Sequence, residues 1–158
     1  MHLNIQKVAS IAEKVGGADH KMRYVQVPVN MLMPEAFIEP WQEFEDSEGV
    51  KRNKILVGCL SDLKLNLITS QPLAQGLISR IPLSRIAVPD IYNLPARHIQ
   101  FVRSIPSQCL VSTVVGMKKP DHVRQNLEVI KQAPMNRQDF LEVVKPVRRH
   151  EFIEESIA

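Results

Sequence analysis

The chain is poor in aromatic residues and in cysteine, and it has no long apolar run. Aromatic side chains make up only 5% of its 158 residues, so it lacks the stacking platform, interleaved with basic residues, that single-stranded nucleic acid requires. The net charge is +3, and acidic residues are spread among the basic ones. We therefore expect no nucleic-acid partner. No segment reaches the roughly 18 to 20 apolar residues of a membrane helix, and we expect no membrane partner.

The two cysteines, Cys59 and Cys109, lie far apart and neither belongs to a C-x-x-C pair. We expect two reduced thiols in a reducing compartment, with the cytoplasm as the first choice. Residues 1–7 lack the charged lead and the long apolar core of a signal peptide. Apolar residues form 44% of the chain and charged residues 23%, which is typical of one globular domain.

Helical and strand-like patterns alternate along the chain. Helical spacing of apolar residues begins at Ile5 and ends at Gly16-Gly17, where glycine favours a helix end. Strands are predicted at 24–29, 65–68 and 110–115, and further helices around 56–63, at 96–103 and at 120–131. Strands that alternate with helices predict an α/β fold with a parallel sheet.

Three stretches fall outside this alternation. Residues 34–49 are acidic and contain proline, and we predict a loop around Trp41 that lies over one face. Three prolines later in the chain predict loops and short turns: Pro82, Pro89 and Pro95. Residues 133–158 are charged, and we expect a tail or an extra helix. Its possible anchors are Phe140, Leu141, Val144, Phe152 and Ile153.

The segment from Val114 to Asn126 carries the clearest functional pattern. An apolar run ends at Gly116, and Lys118 and Lys119 then precede a proline at the predicted first turn of a helix. A helix N-terminus favours anions through its unpaired N–H groups and its dipole. Two cations beside it predict a phosphate site. The alternative is a solvated turn that is rich in lysine.

Three blocks of sequence resemble the C-terminal half of the aldo/keto reductases, which are NAD(P)H-dependent enzymes on a (β/α)8 barrel. Residues 24–30, YVQVPVN, are similar to the sixth barrel strand. Residues 70–77, SQPLAQGL, are similar to the end of the seventh, where the family usually has Tyr-Ser-Pro-Leu. Residues 101–126 are similar to the eighth strand and the helix after it.

The resemblance implies a partial (β/α)8 TIM barrel: roughly its last three strands over residues 1–132, with 133–158 as a tail or extra helix. The family reduces carbonyl substrates with a tyrosine proton donor helped by Asp, Lys and His, all from the first half of the barrel. This chain resembles the family only from the fifth barrel helix onward. We expect the chain to be inactive alone. Any targeting segment would lie ahead of the missing half, so an organellar location stays open as well.

The resemblance also implies roles for nine cofactor-binding residues. Gln26 matches the glutamine that hydrogen-bonds the nicotinamide carboxamide, the alternative being a buried structural amide. Lys118 matches the cation that meets the adenosine 2′-phosphate, and Lys119 adds a second charge, which favours NADPH over NADH. His122 and Asn126 match contacts on the adenine side. The remaining expected contacts are Ser70, which stands where many members have a stacking aromatic, Gln71, Leu73 and Gly116.

Three alternatives account for a half-barrel. The chain is a fragment or a truncated gene product, or it is half of a protein that another polypeptide completes, or it is an open half-barrel that self-associates. The second functional hypothesis is a non-catalytic, barrel-derived subunit that acts by protein contact. No metal site and no independent catalytic constellation are expected in the sequence.

Overall fold

The computed structural model describes residues 3–80 and 91–148, which form an α/β fold. Its strands are β1 (Tyr24–Pro28), β2 (Gln42–Glu45), β3 (Lys51–Lys54), β4 (Asn66–Ser70) and β5 (Leu110–Thr113). Its helices are α1 (Ile5–Gly16), α2 (Glu35–Ile38), α3 (Leu56–Asp62), α4 (Leu94–Arg103), α5 (Pro120–Leu127) and α6 (Arg137–Arg148). Short 3-10 segments span Ala74–Arg80 and Glu128–Lys131.

A three-stranded parallel sheet lies at the centre, with the strand order β1-β4-β5. Gln26 on β1 pairs with Ile68 on β4, and Ile68 pairs with Ser112 on β5. The helices α3 and α4 connect these strands in sequence. The predicted parallel sheet is confirmed, with strand bounds that differ from the prediction by one or two residues.

The two faces of the sheet differ in burial because successive side chains point to opposite sides. Leu67 and Thr69 of β4 are fully buried under the helices. Tyr24, Gln26 and Pro28 of β1, which alternate with half-buried valines, are exposed. Among the described residues β1 pairs with β4 alone, so Pro28 lies on an edge strand, where a missing N–H is tolerated.

Local signals explain where the helices begin and end. The Asn4 side chain accepts from the Lys7 amide and caps α1, which ends before Gly17 at φ 68°. Asn93 caps α4 in the same way by accepting from the Ala96 amide. Pro95 therefore lies in the first turn of α4, where proline is favoured, and the prediction that it interrupts the chain as loop was wrong. Pro82 and Pro89 lie outside the described residues.

Residues 34–49, predicted as a loop, contain the short helix α2 and the first strand of the antiparallel hairpin β2–β3. The alternation of buried Gln42 and Phe44 with exposed glutamates carries a strand signal. Asp46 closes the turn by accepting from the amides of Glu48 (3.1 Å) and Val50 (3.0 Å). The Val50 amide has the largest effect on the pKa of this carboxyl and holds it below its ordinary value; burial opposes that shift, and the Glu48 amide and the Arg52 guanidinium lower the pKa further.

The side-chain amides of α1 cover the outer edge of the hairpin. The Gln6 side chain bonds to the edge strand as the backbone of a neighbouring strand would. Its Nε2 donates to the Glu45 carbonyl at 2.7 Å, and its Oε1 accepts from the Glu45 amide at 2.9 Å. Asn4 donates to the Glu43 carbonyl at 2.6 Å. A sheet edge covered in this way does not offer a template for aggregation.

Helix α6 packs into the same hydrophobic core as the sheet. Phe140 and Val144 are buried, whereas Leu141 is 38% exposed. An aromatic cluster joins Phe140 to Phe101 of α4 and Phe37 of α2. Residues 133–158 were predicted as a tail or an extra helix, and α6 is a helix within them. The further anchors Phe152 and Ile153 lie outside the described residues.

Both cysteines are free thiols in the core, as expected for reduced thiols, and burial raises the pKa of Cys59. His98 of α4 is fully buried as well. Burial lowers its pKa to about 4, and the nearby Ile78 backbone opposes that shift. Neither ring nitrogen has a hydrogen-bond partner of good geometry among the described residues. None of the helices in the described ranges is long and apolar enough to cross a membrane.

Candidate functional site

A groove of about 560 Å³ lies at the carboxyl ends of β4 and β5. Ligands of parallel α/β sheets and barrels bind at this end of the strands, because the loops there are free to vary while the strands hold their positions. The groove has the size of a small-molecule site. It is lined by Ser70, Gln71, Pro72, Leu73, Gln75, Gly76, Val114, Val115, Gly116, Met117, Lys118 and His122.

The first wall of the groove is the loop that comes after β4, and its backbone is unusual. Gln71 (φ 54°), Ala74 (φ 44°) and Gln75 (φ 57°) adopt left-handed conformations, and Gly76 comes next at φ 90°. Residues other than glycine rarely adopt left-handed backbone conformations. Each one that does so costs free energy that surrounding contacts must offset. The loop is held at its start by the Asn30 side chain, which donates to the Gln71 carbonyl at 2.9 Å.

The second wall is the segment after β5, which runs into helix α5. The Val114 amide donates to the Thr69 carbonyl at 2.7 Å and extends the sheet pairing by one residue. Gly116 leaves open space on its Cβ side, with no atom within 4 Å. Lys119 precedes the first helical residue, Pro120, and no side chain caps this start of α5. Pro120 has no N–H, and the amides of His122 and Val123 donate to the Lys119 carbonyl at 3.0 and 3.3 Å. Among the described residues this leaves the Asp121 amide as the donor of the first turn that a ligand can use.

The charge on the second wall is positive. Lys118 and His122 line the groove, whereas no aspartate or glutamate is among its lining residues. The acid nearest in sequence, Asp121, is paired with Arg124 at 2.6 Å. An anion in this groove would meet Lys118, which forms no ion pair among the described residues, beside a helix N-terminus.

No protein-family model matches the chain, and no curated protein matches it in sequence. The structure is similar to the aldo-keto reductase AKR11C1 from Bacillus halodurans. The holo form of that protein aligns with a TM-score of 0.53 at 15% identity, over 85% of this chain and 46% of that one. The apo form aligns with a TM-score of 0.56 at 15% identity, over 87% and 47%.

The fold is that of part of an aldo-keto reductase barrel. The chain spans under half the length of the reductase structures it matches. The partial (β/α)8 barrel that the sequence predicts, with β1, β4 and β5 as its strands, is thus confirmed. At an identity of 15%, the similarity shows the fold alone. Any chemistry has to be inferred from the residues of the groove.

Six of the nine predicted cofactor-binding residues meet in the groove. They are Ser70, Gln71, Leu73, Gly116, Lys118 and His122. They come from two segments that lie far apart in sequence, residues 70–73 and 116–122, and the pairing of β4 with β5 brings those segments together.

The other three predicted residues do not line the groove. Gln26 is exposed on the open face of β1 in this chain. Lys119 stands beside the groove at the N-cap position of α5. Asn126 lies one turn after His122 on the same helix but is buried, and its Nδ2 has no hydrogen-bond partner among the described residues.

Sequence reasoning missed several residues of the groove. Gln75 and Gly76 line it through a left-handed turn, and the only signal for that turn is the glycine. Asn30 does not line the groove but donates to the carbonyl of Gln71, which does. The sequence indicated it only as part of the block 24–30, because a contact between distant loops leaves no local pattern. Val114, Val115 and Met117 complete the apolar part of the lining.

Proposed function

We propose that this chain forms the cofactor-binding half of an NADPH-dependent oxidoreductase of the aldo/keto reductase kind, which reduces a carbonyl substrate. The observation that carries the proposal is the groove at the carboxyl ends of β4 and β5, where Lys118 and His122 meet Ser70 and Gln71. The groove combines an apolar lining with the Lys118 ammonium group at one end, which is the chemistry that a dinucleotide with a phosphorylated ribose requires.

The residues present fit NADPH from its adenosine end to its nicotinamide. Lys118 would hold the adenosine 2′-phosphate, with Lys119 beside it and the Asp121 amide at the start of α5 as an N–H donor. His122 would contact the adenine side, as would Asn126 if its buried, unpartnered Nδ2 becomes accessible. NADPH has one more phosphate than NADH, and these two lysines favour it.

The middle and the far end of the cofactor would lie along β4 and β1. Ser70, Gln71 and Leu73 would contact its central part on one wall, with Gly116 allowing close approach on the other. Gln26 is on the open face of the sheet and would bond the nicotinamide carboxamide through its paired donor and acceptor. When bound, the nicotinamide supplies a hydride to the substrate carbonyl.

The proton donor would come from a second half-barrel. Family resemblance places the tyrosine and its Asp, Lys and His partners in the first half of the barrel, and three strands cannot close one. Within the described residues, β1 and β5 each pair on one side only. We propose that the missing half, continuous with this chain or carried by another polypeptide, pairs with these edges and covers the exposed face of β1.

The second candidate is a non-catalytic, barrel-derived subunit that acts by protein contact. It is favoured by the β2–β3 hairpin, which carries exposed charges at Glu43, Glu45, Lys51 and Arg52 outside the groove. Such a subunit would keep the fold with or without the cofactor.

A thermal melt of the purified chain with NADPH, with NADH and without ligand tests the proposal. We expect a cooperative transition that NADPH raises more than NADH, because only NADPH engages Lys118 with a 2′-phosphate. A cooperative transition that neither cofactor moves would contradict the proposal and favour the second candidate. An aggregating chain would be melted again after co-expression with the first half of a reductase barrel.

A further inference from the structure

Asn30 lies just after strand β1 and is completely buried, yet its side chain makes three hydrogen bonds. Its Oδ1 accepts from the amides of Leu32 at 2.9 Å and Met33 at 3.0 Å. Its Nδ2 donates to the carbonyl of Gln71 at 2.9 Å. The amide thus shapes the turn after β1 with its oxygen and reaches the turn after β4 with its nitrogen.

The bond to Gln71 falls at a strained point of the backbone. Gln71 is the first residue after β4, it has φ 54°, and it is one of four left-handed residues between positions 71 and 76. Non-glycine residues in this conformation are strained and persist only where surrounding contacts determine them. The Val29 amide donates to the Ser70 carbonyl at 3.0 Å one residue earlier, so the two turns are joined at consecutive peptide groups.

The geometry points to Asn30 as a positioning residue for the groove, acting through the Gln71 carbonyl. It holds the turn that presents Ser70 and Gln71 to the central part of the cofactor, and it contributes nothing to the adenosine end at Lys118. This inference rests on the proposed function for its ligand. The contact itself rests on the hydrogen bond alone.

The substitution Asn30→Asp isolates the bond between the two turns. The carboxylate keeps both acceptor bonds to Leu32 and Met33 but loses the donor to Gln71 and places an oxygen against its carbonyl. Asn30→Ala removes all three bonds and serves as the second variant. The matched control is Gln42→Ala. Gln42 is another buried amide, which accepts from Ile5 N at 2.9 Å and donates to Leu3 O at 3.1 Å, and it does not line the groove.

Titration calorimetry with NADPH and with its fragment 2′,5′-ADP measures the effect on each end of the ligand. Both Asn30 variants are expected to weaken NADPH binding by roughly tenfold, on the scale of one buried hydrogen bond, and to change the Kd of 2′,5′-ADP by less than about twofold. Gln42→Ala is expected to lower Tm by about as much as the Asn30 variants do, without changing the Kd of NADPH or of 2′,5′-ADP. Equal weakening of both ligands, or of neither, would overturn the inference.

Amide hydrogen exchange separates failure of this inference from failure of the proposed function. In Asn30→Asp we expect faster exchange at residues 71–76 and unchanged exchange in the β2–β3 hairpin, whether or not a nucleotide binds. If the unmodified chain binds no nucleotide, the proposed function fails. The exchange measurement is then the only test of the inference, and an unchanged amide exchange rate at residues 71–76 in Asn30→Asp overturns the positioning role of Asn30.

Discussion

The ring of Phe101 in α4 stacks on the ring of Phe140 in α6, with centroids 5.3 Å apart and planes 17° from parallel. Phe37 of α2 meets both rings edge-on, at 5.8 Å from Phe101 and 5.6 Å from Phe140. Such pairs stabilise a fold beyond the area they bury. Helix α6 therefore shares one core with the sheet and its covering helices.

Phe140→Ala is expected to lower the free energy of unfolding by about 3–5 kcal/mol, because it leaves a cavity under α6 and removes two ring contacts. Urea denaturation monitored by circular dichroism measures the change. Leu141→Ala is the control: its side chain is 38% exposed, and a loss below about 1 kcal/mol is expected. Equal losses for the two variants would mean that α6 does not pack as the structure has it.

Lys118→Ala is expected to weaken NADPH binding by roughly tenfold to a hundredfold and to leave NADH binding nearly unchanged, because a charge-assisted contact to the 2′-phosphate is lost. Fluorescence titration of both cofactors gives the ratio. Lys145→Ala, in an exposed pair with Glu142 on α6, controls for the loss of one positive charge. The role of Lys118 is refuted if the preference for NADPH survives its removal.

Stability is expected to fall in acid because His98 is buried. Its pKa is lowered from 6.5 to about 4 on folding, so between these values the unfolded chain binds a proton that the native chain does not. The free energy of unfolding thus decreases as pH falls through this window, by up to about 3 kcal/mol. His98→Gln should flatten that dependence in urea melts at pH 7 and pH 4.5, while His122→Gln, at an exposed position, should not.

The two glycines of the groove are expected to respond differently to alanine. Gly76 has φ 90°, where a side chain is strained, and Gly76→Ala should cost about 1–2 kcal/mol of stability. Gly116 has open space around its missing Cβ, so Gly116→Ala should leave Tm unchanged and weaken NADPH binding, because the methyl group enters the groove. Thermal melts with and without NADPH check both expectations. A Gly116→Ala variant that binds NADPH normally would show that the cofactor does not approach this position.

Short-range patterns predicted much of the fold. The helix end at Gly16-Gly17 and the strands β1, β4 and β5 were predicted within one or two residues, because helical apolar spacing and buried apolar runs are local signals. The hairpin β2–β3 was missed: only Gln42 and Phe44 alternate with exposed residues there, and four-residue strands give a weak signal. The prediction for Pro95 was wrong because a proline in a first helical turn differs from a proline in a loop only in the conformation of the residues after it.

The sequence by itself determined the element types, the lysines before α5 and the resemblance of three separate blocks to a reductase barrel, because each depends on neighbouring residues. The tertiary structure decided which of those residues meet. The pairing of β4 with β5 joins Ser70 and Gln71 to Lys118 and His122 in one groove, and the buried side chain of Asn30 ties the turn after β1 to the turn after β4. Contacts between loops that lie far apart in sequence are formed by packing and leave no local pattern to predict them.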